Sequence, residues 1–199
     1  MSAPFTATVP IGPSRARQLA NFVITQAAWF AAVLGAAHGR PDLGTLPALA
    51  AIGWHLAISA RPREEAMLAG LAAVVGLAAE TAVLALGHVT YPSGQWSSLL
   101  PPYWLVALWS LFAITLNVTM RWLHGRPLLA ALAGAIAGPL AFSGGVRLGG
   151  AHFVDPVAAV VTLVIEWALL APLLVALSER FDGVAVRRPP NPLLEARHA

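Results

Sequence analysis

The chain has 199 residues, of which 58% are hydrophobic and only 11% charged. Soluble domains average about 45–50% apolar and about 25% charged residues, so the composition excludes a water-soluble globular protein. The net charge is only +3, and the 12 basic residues, all arginine, are scattered between apolar runs, which gives no support to nucleic-acid binding. Because the chain has no cysteine, disulfides, thiolate metal sites and cysteine nucleophiles are excluded as well.

Six apolar stretches follow one another along the chain, and each is long enough to cross about 30 Å of hydrocarbon as a helix. They are rich in alanine, leucine and glycine and do not alternate apolar with polar residues, so they are helices and not barrel strands. The sequence predicts an all-α, polytopic membrane protein, a compact bundle of six transmembrane helices at 19–37, 43–60, 66–87, 103–123, 128–148 and 156–177. The predicted membrane domain is 18–182, with tails at 1–17 and 183–199.

The arginines predict how these helices are oriented. Ten of the 12 fall before the first stretch, between the second and third, between the fourth and fifth, or after the sixth, whereas only Arg40 and Arg147 fall on the other side. Positively charged loops stay in the cytoplasm. We therefore expect a membrane protein with both termini in the cytoplasm.

The first stretch also allows another interpretation, a cleaved signal peptide, because Arg15 and Arg17 precede an apolar run that ends in small residues. That run is long for a signal peptide and contains Asn21 and Gln26. A transmembrane helix is the preferred interpretation.

Small residues predict where the helices pack, because they allow close approach of backbones in lipid. The third stretch carries such a stripe, which includes Glu80: Ala69, Ala72, Ala73, Gly76 and Ala79. The fifth contains Gly134-x-x-x-Gly138 followed by Pro139, and the sixth contains Pro172, so close packing with a kink or break is expected. The alternative is a broken helix that lines a substrate cavity.

Two glutamates, Glu80 and Glu166, fall in mid-membrane, where a charged side chain costs about 2.5–3.5 kcal/mol on insertion scales. Counted along the helices, Asn21, Asn117, His55, Glu166 and Glu80 lie at successive depths. These five residues form a candidate buried polar site, which could carry protons or cations. The alternative is structural: both carboxyls are protonated and hydrogen-bonded between helices.

Signatures of membrane enzymes are incomplete. Ser143-Gly144 resembles the rhomboid protease motif, but the last span lacks the histidine base. Glu64-Glu65 resembles the motif of prenyl-protein proteases, yet Gly70 stands where that motif has arginine. We interpret Glu64 and Glu65, with the arginines beside them, as a solvated turn that fixes orientation.

Metal and cofactor sites have little support. His38, His88 and His152 fall at external span ends and are weak metal candidates, but no pair has ligand spacing. Only His55 lies within the bilayer interior, whereas a b-type haem needs two facing histidines. No metal or cofactor is predicted.

Several segments resemble a family of bacterial inner-membrane proteins grouped as a domain of unknown function, over about residues 18–182. They include Leu19-Ala-Asn-Phe-Val, Tyr91-Pro-Ser-Gly, Pro102-Tyr-Trp and Gly138-Pro-Leu. The resemblance implies a multi-pass membrane protein with an acidic residue in the third span, here Glu80, and an accessory role in membrane-lipid modification. Phe142 departs from the family's tyrosine, which weakens a hydroxyl role there.

The sequence therefore leads to two hypotheses about function. The first is an accessory membrane protein that assists lipid modification or the envelope stress response, with the bilayer and lipid-modifying enzymes as partners. The second is a small proton- or cation-coupled transporter that uses Glu80 and Glu166 to move a small solute.

Overall fold

The computed structural model describes residues 10–187, which form six α-helices, one short 3-10 helix and two antiparallel pairs of two-residue strands. The helices are α1 (Arg15–Ala37), α2 (Pro41–Ala57), α3 (Pro62–Ala85), α4 (Tyr103–Leu116), α5 (Pro127–Arg147) and α6 (Pro156–Arg180). The 3-10 helix is Arg121–Leu123, and the strands are β1 (Pro10–Ile11), β2 (Val89–Thr90), β3 (His152–Phe153) and β4 (Val186–Arg187). The architecture is all-helical, as predicted.

Four helices, α1, α3, α5 and α6, are long and apolar enough to cross a membrane, and α4 is a shorter apolar helix. Proline occupies the first turn of α2, α3, α5 and α6, where its missing N–H costs nothing and its fixed φ favours a helical start. Gly39 and Gly87 follow α1 and α3 with φ of 68° and 73°, a conformation that lets the chain turn directly after a helix. Local sequence thus sets the helix boundaries.

The predicted fourth span, 103–123, is too long for the helix observed there. α4 ends at Leu116, after 14 residues, and Asn117 is its C-cap. The Arg121 guanidinium reaches back to donate to the Asn117 carbonyl at 3.2 Å, so the chain turns there and continues as the 3-10 helix. α1 begins at Arg15, about one turn before its predicted start, and α6 ends at Arg180, about one turn after its predicted end.

Successive helices run in alternating directions, and the principal contacts pair α1 with α2, α3 with α4, and α5 with α6. We call the end where α1 begins and α6 ends the tail end, and the end that carries β2 and β3 the loop end. At the tail end β1 pairs with β4. At the loop end β2 pairs with β3, over a hydrophobic cluster that includes Val89 and Ala151.

Gly134 and Gly138 lie where α5 contacts α6. A Cβ at Gly134 would be 2.4 Å from the Trp167 carbonyl oxygen, and one at Gly138 would be 2.1 Å from Trp167 Cγ. The small residues therefore admit a large indole between the two helices. Pro139 and Pro172 lie inside α5 and α6, which continue past them, so neither proline breaks its helix.

Candidate functional site

A buried carboxylate at the tail end joins four segments of the chain. Glu65, the fourth residue of α3, is fully buried. Its Oε2 lies 2.8 Å from His55 Nε2, and its Oε1 accepts hydrogen bonds from Asn117 Nδ2 at 2.8 Å and from the Gly183 amide at 2.7 Å. We call these four residues the Glu65 cluster. It connects α2, α3 and α4 to the segment 181–185, which follows α6.

The segment 181–185 is held closely against the start of α3. A Cβ at Gly183 would be 2.3 Å from the Arg61 carbonyl oxygen, and the Arg61 amide donates to the Gly183 carbonyl at 3.0 Å. Only glycine fits this approach without a shift of the backbone. Val184 and Ala185, the next two residues, are buried.

Asp182 carries the charged contacts of this segment. The guanidinium of Arg121 forms an ion pair with its carboxylate, and the amides of Val184 and Ala185 each donate to it at 3.0 Å. Burial by itself opposes ionisation of Asp182, but the bonds from Arg121 and from these amides outweigh it and hold the pKa below its usual value. The carboxylate is therefore charged at neutral pH.

The solvated-turn interpretation is wrong for Glu65. Its side chain is completely buried, whereas its neighbours Arg61 and Arg63 are exposed and Glu64 is half-buried. Sequence reasoning missed this residue because it stands among charged neighbours. A signal was present, since Glu65 precedes Glu80 by 15 residues on the same helical stripe of small residues.

Asn21 lies at the same end of the bundle but in separate contacts. Its Nδ2 donates to the Ile114 carbonyl at 3.1 Å, and its Oδ1 accepts from the Thr119 hydroxyl at 3.3 Å. The bonds of Asn21 therefore tie α1 to α4 and to the turn that follows α4. They do not reach Glu65.

A second buried carboxyl group, that of Glu80, accepts hydrogen bonds from two aromatic side chains. The Tyr91 hydroxyl donates to Glu80 Oε2 at 3.2 Å, and Trp109 Nε1 donates to Oε1 at 3.1 Å. The Trp109 ring stacks on Trp167, with centroids 4.9 Å apart and planes at 16°. Glu166 lies within electrostatic range of Glu80, and both of its carboxyl oxygens are buried with no hydrogen-bond partner among residues 10–187. We call Glu80, Tyr91, Trp109 and Glu166 the Glu80 cluster.

The predicted series of five polar residues is divided between the two ends. His55 and Asn117 bind Glu65, whereas Glu80 and Glu166 belong to the other cluster. Fifteen residues of α3 separate Glu65 from Glu80, or about 22 Å along the helix. The intervening turns of α3 contribute Leu68 and Ala72 to an apolar cluster.

An elongated cavity of about 530 Å³ lies beside these clusters, lined by α1, α4, α5 and α6. On α5 its lining extends from Ala130 to Gly145, which spans about 22 Å. Small residues of α5 form one wall, and aromatic residues of the other helices, including Trp29, Phe112 and Trp167, form others. The five predicted polar-site residues are not among those that line it.

The three histidines predicted at external span ends lie at the loop end. His38 Nδ1 is 2.8 Å from the Leu34 carbonyl oxygen, and the His88 carbonyl accepts from the Val154 amide at 2.9 Å. His152 is in β3, opposite Thr90. In the described part of the chain, no group of three or more histidine, aspartate or glutamate residues is placed to hold a metal ion.

The fold and these clusters define an all-helical protein with helices suited to a membrane and with polar groups sequestered between them. The chain belongs to the family described as Protein of unknown function (DUF2878), which it matches over residues 18–173. The predicted membership of a domain family of unknown function is thereby confirmed. Searches of the curated proteins and of the solved structures gave no match.

Proposed function

We propose that this protein binds one hydrocarbon chain of a lipid in the cavity between its helices and acts as an accessory factor in membrane-lipid modification or the envelope stress response. The cavity is the observation that carries this proposal. Its volume of about 530 Å³ lies in the range of about 300–1,000 Å³ typical of small-molecule sites.

The length of the cavity favours a chain-like ligand. Its lining extends about 22 Å along α5, which exceeds the distance of about 15 Å from the edge of the hydrocarbon to its centre. One hydrocarbon chain of a lipid can therefore lie along it.

The lining chemistry favours binding over catalysis. Most described residues that line the cavity are alanine, glycine, leucine or aromatic, and none of them carries a carboxylate, an imidazole or a guanidinium. Such a surface offers neither a general base nor an activated nucleophile. At the depth of membrane-spanning helices, lipid hydrocarbon is also the most abundant ligand.

Replacement of a small lining residue by tryptophan tests this proposal. Ala137 is exposed on the α5 wall of the cavity, so Ala137→Trp would fill part of it. Ala78 is exposed on α3 and does not line the cavity, which makes Ala78→Trp a matched control. We expect native mass spectrometry of detergent-purified protein to detect bound lipid on the wild type and on Ala78→Trp, and several-fold less on Ala137→Trp.

The accessory role has its own readout. In a deletion strain whose membrane lipids are profiled, wild type and Ala78→Trp should restore the normal profile, whereas Ala137→Trp at equal abundance should not. Equal lipid occupancy in both variants, or an unchanged profile in the deletion strain, would contradict the proposal.

The membrane arrangement proposed is six crossings, with both termini in the cytoplasm of a bacterial inner membrane. The ten-to-two bias of the arginines and the six alternating helices support it. Because the chain has no cysteine, single-cysteine labelling has no background. An impermeant maleimide should label Ser97→Cys in intact cells and Ala60→Cys only after permeabilisation, and the reverse order would contradict the orientation.

A second candidate function, a proton- or cation-coupled transporter of a small solute, is favoured by one observation. Both oxygens of Glu166 are buried without a described partner, near Glu80. Such a carrier predicts proton movement in proteoliposomes that Glu166→Gln abolishes. A wild type that moves no protons would exclude it.

A further inference from the structure

Polar side chains in the cavity lining are confined to one half of its length. Thr25 and Gln26 lie at the middle of α1, and Thr115 and Thr119 lie toward the tail end; we call these four residues the polar shelf. Toward the loop end the lining is apolar apart from aromatic polar atoms, and the Tyr91 hydroxyl there is already bonded to Glu80. A hydrocarbon chain without polar groups cannot form hydrogen bonds with these side chains, so such a ligand does not account for their position.

Gln26 is the member of the shelf whose polar group is free. It is the middle residue of α1, about 16 Å from each end of the helix, and it is exposed where it lines the cavity. Within the described part of the chain its amide forms no hydrogen bond, whereas Thr25 donates to the Asn21 carbonyl at 2.8 Å. An amide left unpaired against hydrocarbon is costly, so a partner from the ligand is favoured.

The neighbouring shelf residue on α4, Thr115, lies about one helical turn nearer the tail end. Asn21, five residues before Gln26, donates to the carbonyl of Ile114, the residue before Thr115. Side chains lean toward the N-terminus of their helix, so Gln26 leans toward the tail end and Thr115 toward the loop end. Its hydroxyl donates to the Phe112 carbonyl at 2.6 Å, which leaves the lone pairs of the hydroxyl oxygen able to accept. Gln26 can both donate and accept. Together they fit a ligand group that also does both, which is a hydroxyl.

The depth of Gln26 indicates a ligand that differs from an ordinary membrane lipid in where its oxygen atoms lie. The ester groups of a phospholipid lie at the edge of the hydrocarbon, about 15 Å from its centre, whereas Gln26 is at the middle of its helix. A lipid whose only oxygens are at its head group would place saturated carbon against the shelf. A chain with an oxygen near its middle would place that oxygen there.

We propose that the cavity selects hydrocarbon chains that carry a hydroxyl group near mid-chain, and that Gln26 and Thr115 recognise the hydroxyl. The proposal rests on the proposed function, since it names the ligand class of the same cavity. The hydroxylated chain could be a free fatty acid or could be esterified in a phospholipid.

The test is equilibrium binding of radiolabelled 12-hydroxystearate and stearate to the full-length protein in detergent micelles. We expect the wild type to bind the hydroxylated chain about five- to tenfold more tightly, the effect of one or two net hydrogen bonds. Gln26→Leu should abolish this preference and still bind stearate, and Thr115→Val should reduce it. Gln18→Leu, a glutamine of α1 that does not line the cavity, should retain it. Phosphatidylethanolamine with 12-hydroxystearoyl chains, used as competitor, distinguishes the two sources of the ligand.

The possible results distinguish failure of the selection for hydroxylated chains from failure of the proposed lipid binding. Equal affinity of the wild type for both fatty acids, or a preference that survives Gln26→Leu, overturns the selection of hydroxylated chains and leaves lipid binding intact. Binding of neither fatty acid and no copurified lipid would instead overturn the proposed function.

Discussion

Glu65 and Glu80 lie on the same stripe of α3, both fully buried, yet their surroundings stabilise them in different ways. Glu65 has an imidazole, a side-chain amide and a backbone amide as partners, from three other segments. Glu80 has a phenol and an indole, and a second carboxyl nearby that has no partner. Both oxygens of Glu65 and both oxygens of Glu80 are paired, so burial of a carboxyl group in such a bundle does not by itself indicate function. The buried carboxyl without a partner among residues 10–187 is that of Glu166.

The largest effect is expected from Glu65→Leu. It leaves His55 Nε2 and the Gly183 amide buried without an acceptor, and it leaves Asn117 Nδ2 only the Phe181 carbonyl. Removal of one partner from such a site costs about 3–5 kcal/mol. Thermal unfolding in micelles, followed by circular dichroism, measures the loss. Glu64→Leu, at the half-buried neighbour, is the control and should change stability by less than about 1 kcal/mol. If Glu65→Leu and Glu64→Leu unfold at the same temperature, the hydrogen bonds of Glu65 do not stabilise the fold.

Replacement of Gly76 by alanine tests the packing around Glu80. A Cβ at Gly76 would be 2.1 Å from Trp109 Cγ, so Gly76→Ala must displace the indole that donates to Glu80. Overpacking of this kind costs about 1–3 kcal/mol. The control is Gly70→Ala in the same helix, where a Cβ meets nothing within 4 Å and the alanine should stabilise by about 0.5–1 kcal/mol. Equal unfolding temperatures for the two variants would contradict the packing described here.

The two carboxyls of the Glu80 cluster should respond differently to removal. Glu80→Leu leaves the Tyr91 hydroxyl and the Trp109 N–H unpaired and should cost about 1–3 kcal/mol. Glu166→Leu removes two buried oxygens that have no described partner, so stability should be unchanged or raised. Unfolding of both variants in the same micelle decides the comparison. A larger loss for Glu166→Leu would show that this carboxyl has a partner which the contacts of residues 10–187 do not include.

The sequence predicted the helices well because hydropathy and proline placement are local signals. It predicted Glu80 for the same reason, since a charge in an apolar run is conspicuous. Glu65 was not predicted because its partners His55, Asn117 and Gly183 come from 10, 52 and 118 residues away, and no local pattern reports that they meet. The cavity was not predicted either, because the residues that line it come from four helices that are far apart in the sequence.

The smallest effect expected concerns pH and the segment that Glu65 holds. Asp182 has a folded pKa below its usual value of about 3.9, so its stabilising effect is present above that value and is lost as the pH falls through the lower, folded pKa. The segment 181–185 should therefore loosen only below about pH 4.

Val184→Cys, at a buried position, reports this through its rate of reaction with dithiodipyridine, which reacts with thiols in acid. In Arg121→Met, which removes the ion pair, the rise in reactivity should begin at a higher pH, whereas Glu64→Gln should leave it unchanged. Reactivity that is constant from pH 7 to about pH 3 would mean that Asp182 does not hold the segment and that the bonds of Gly183 to Glu65 and Arg61 do so.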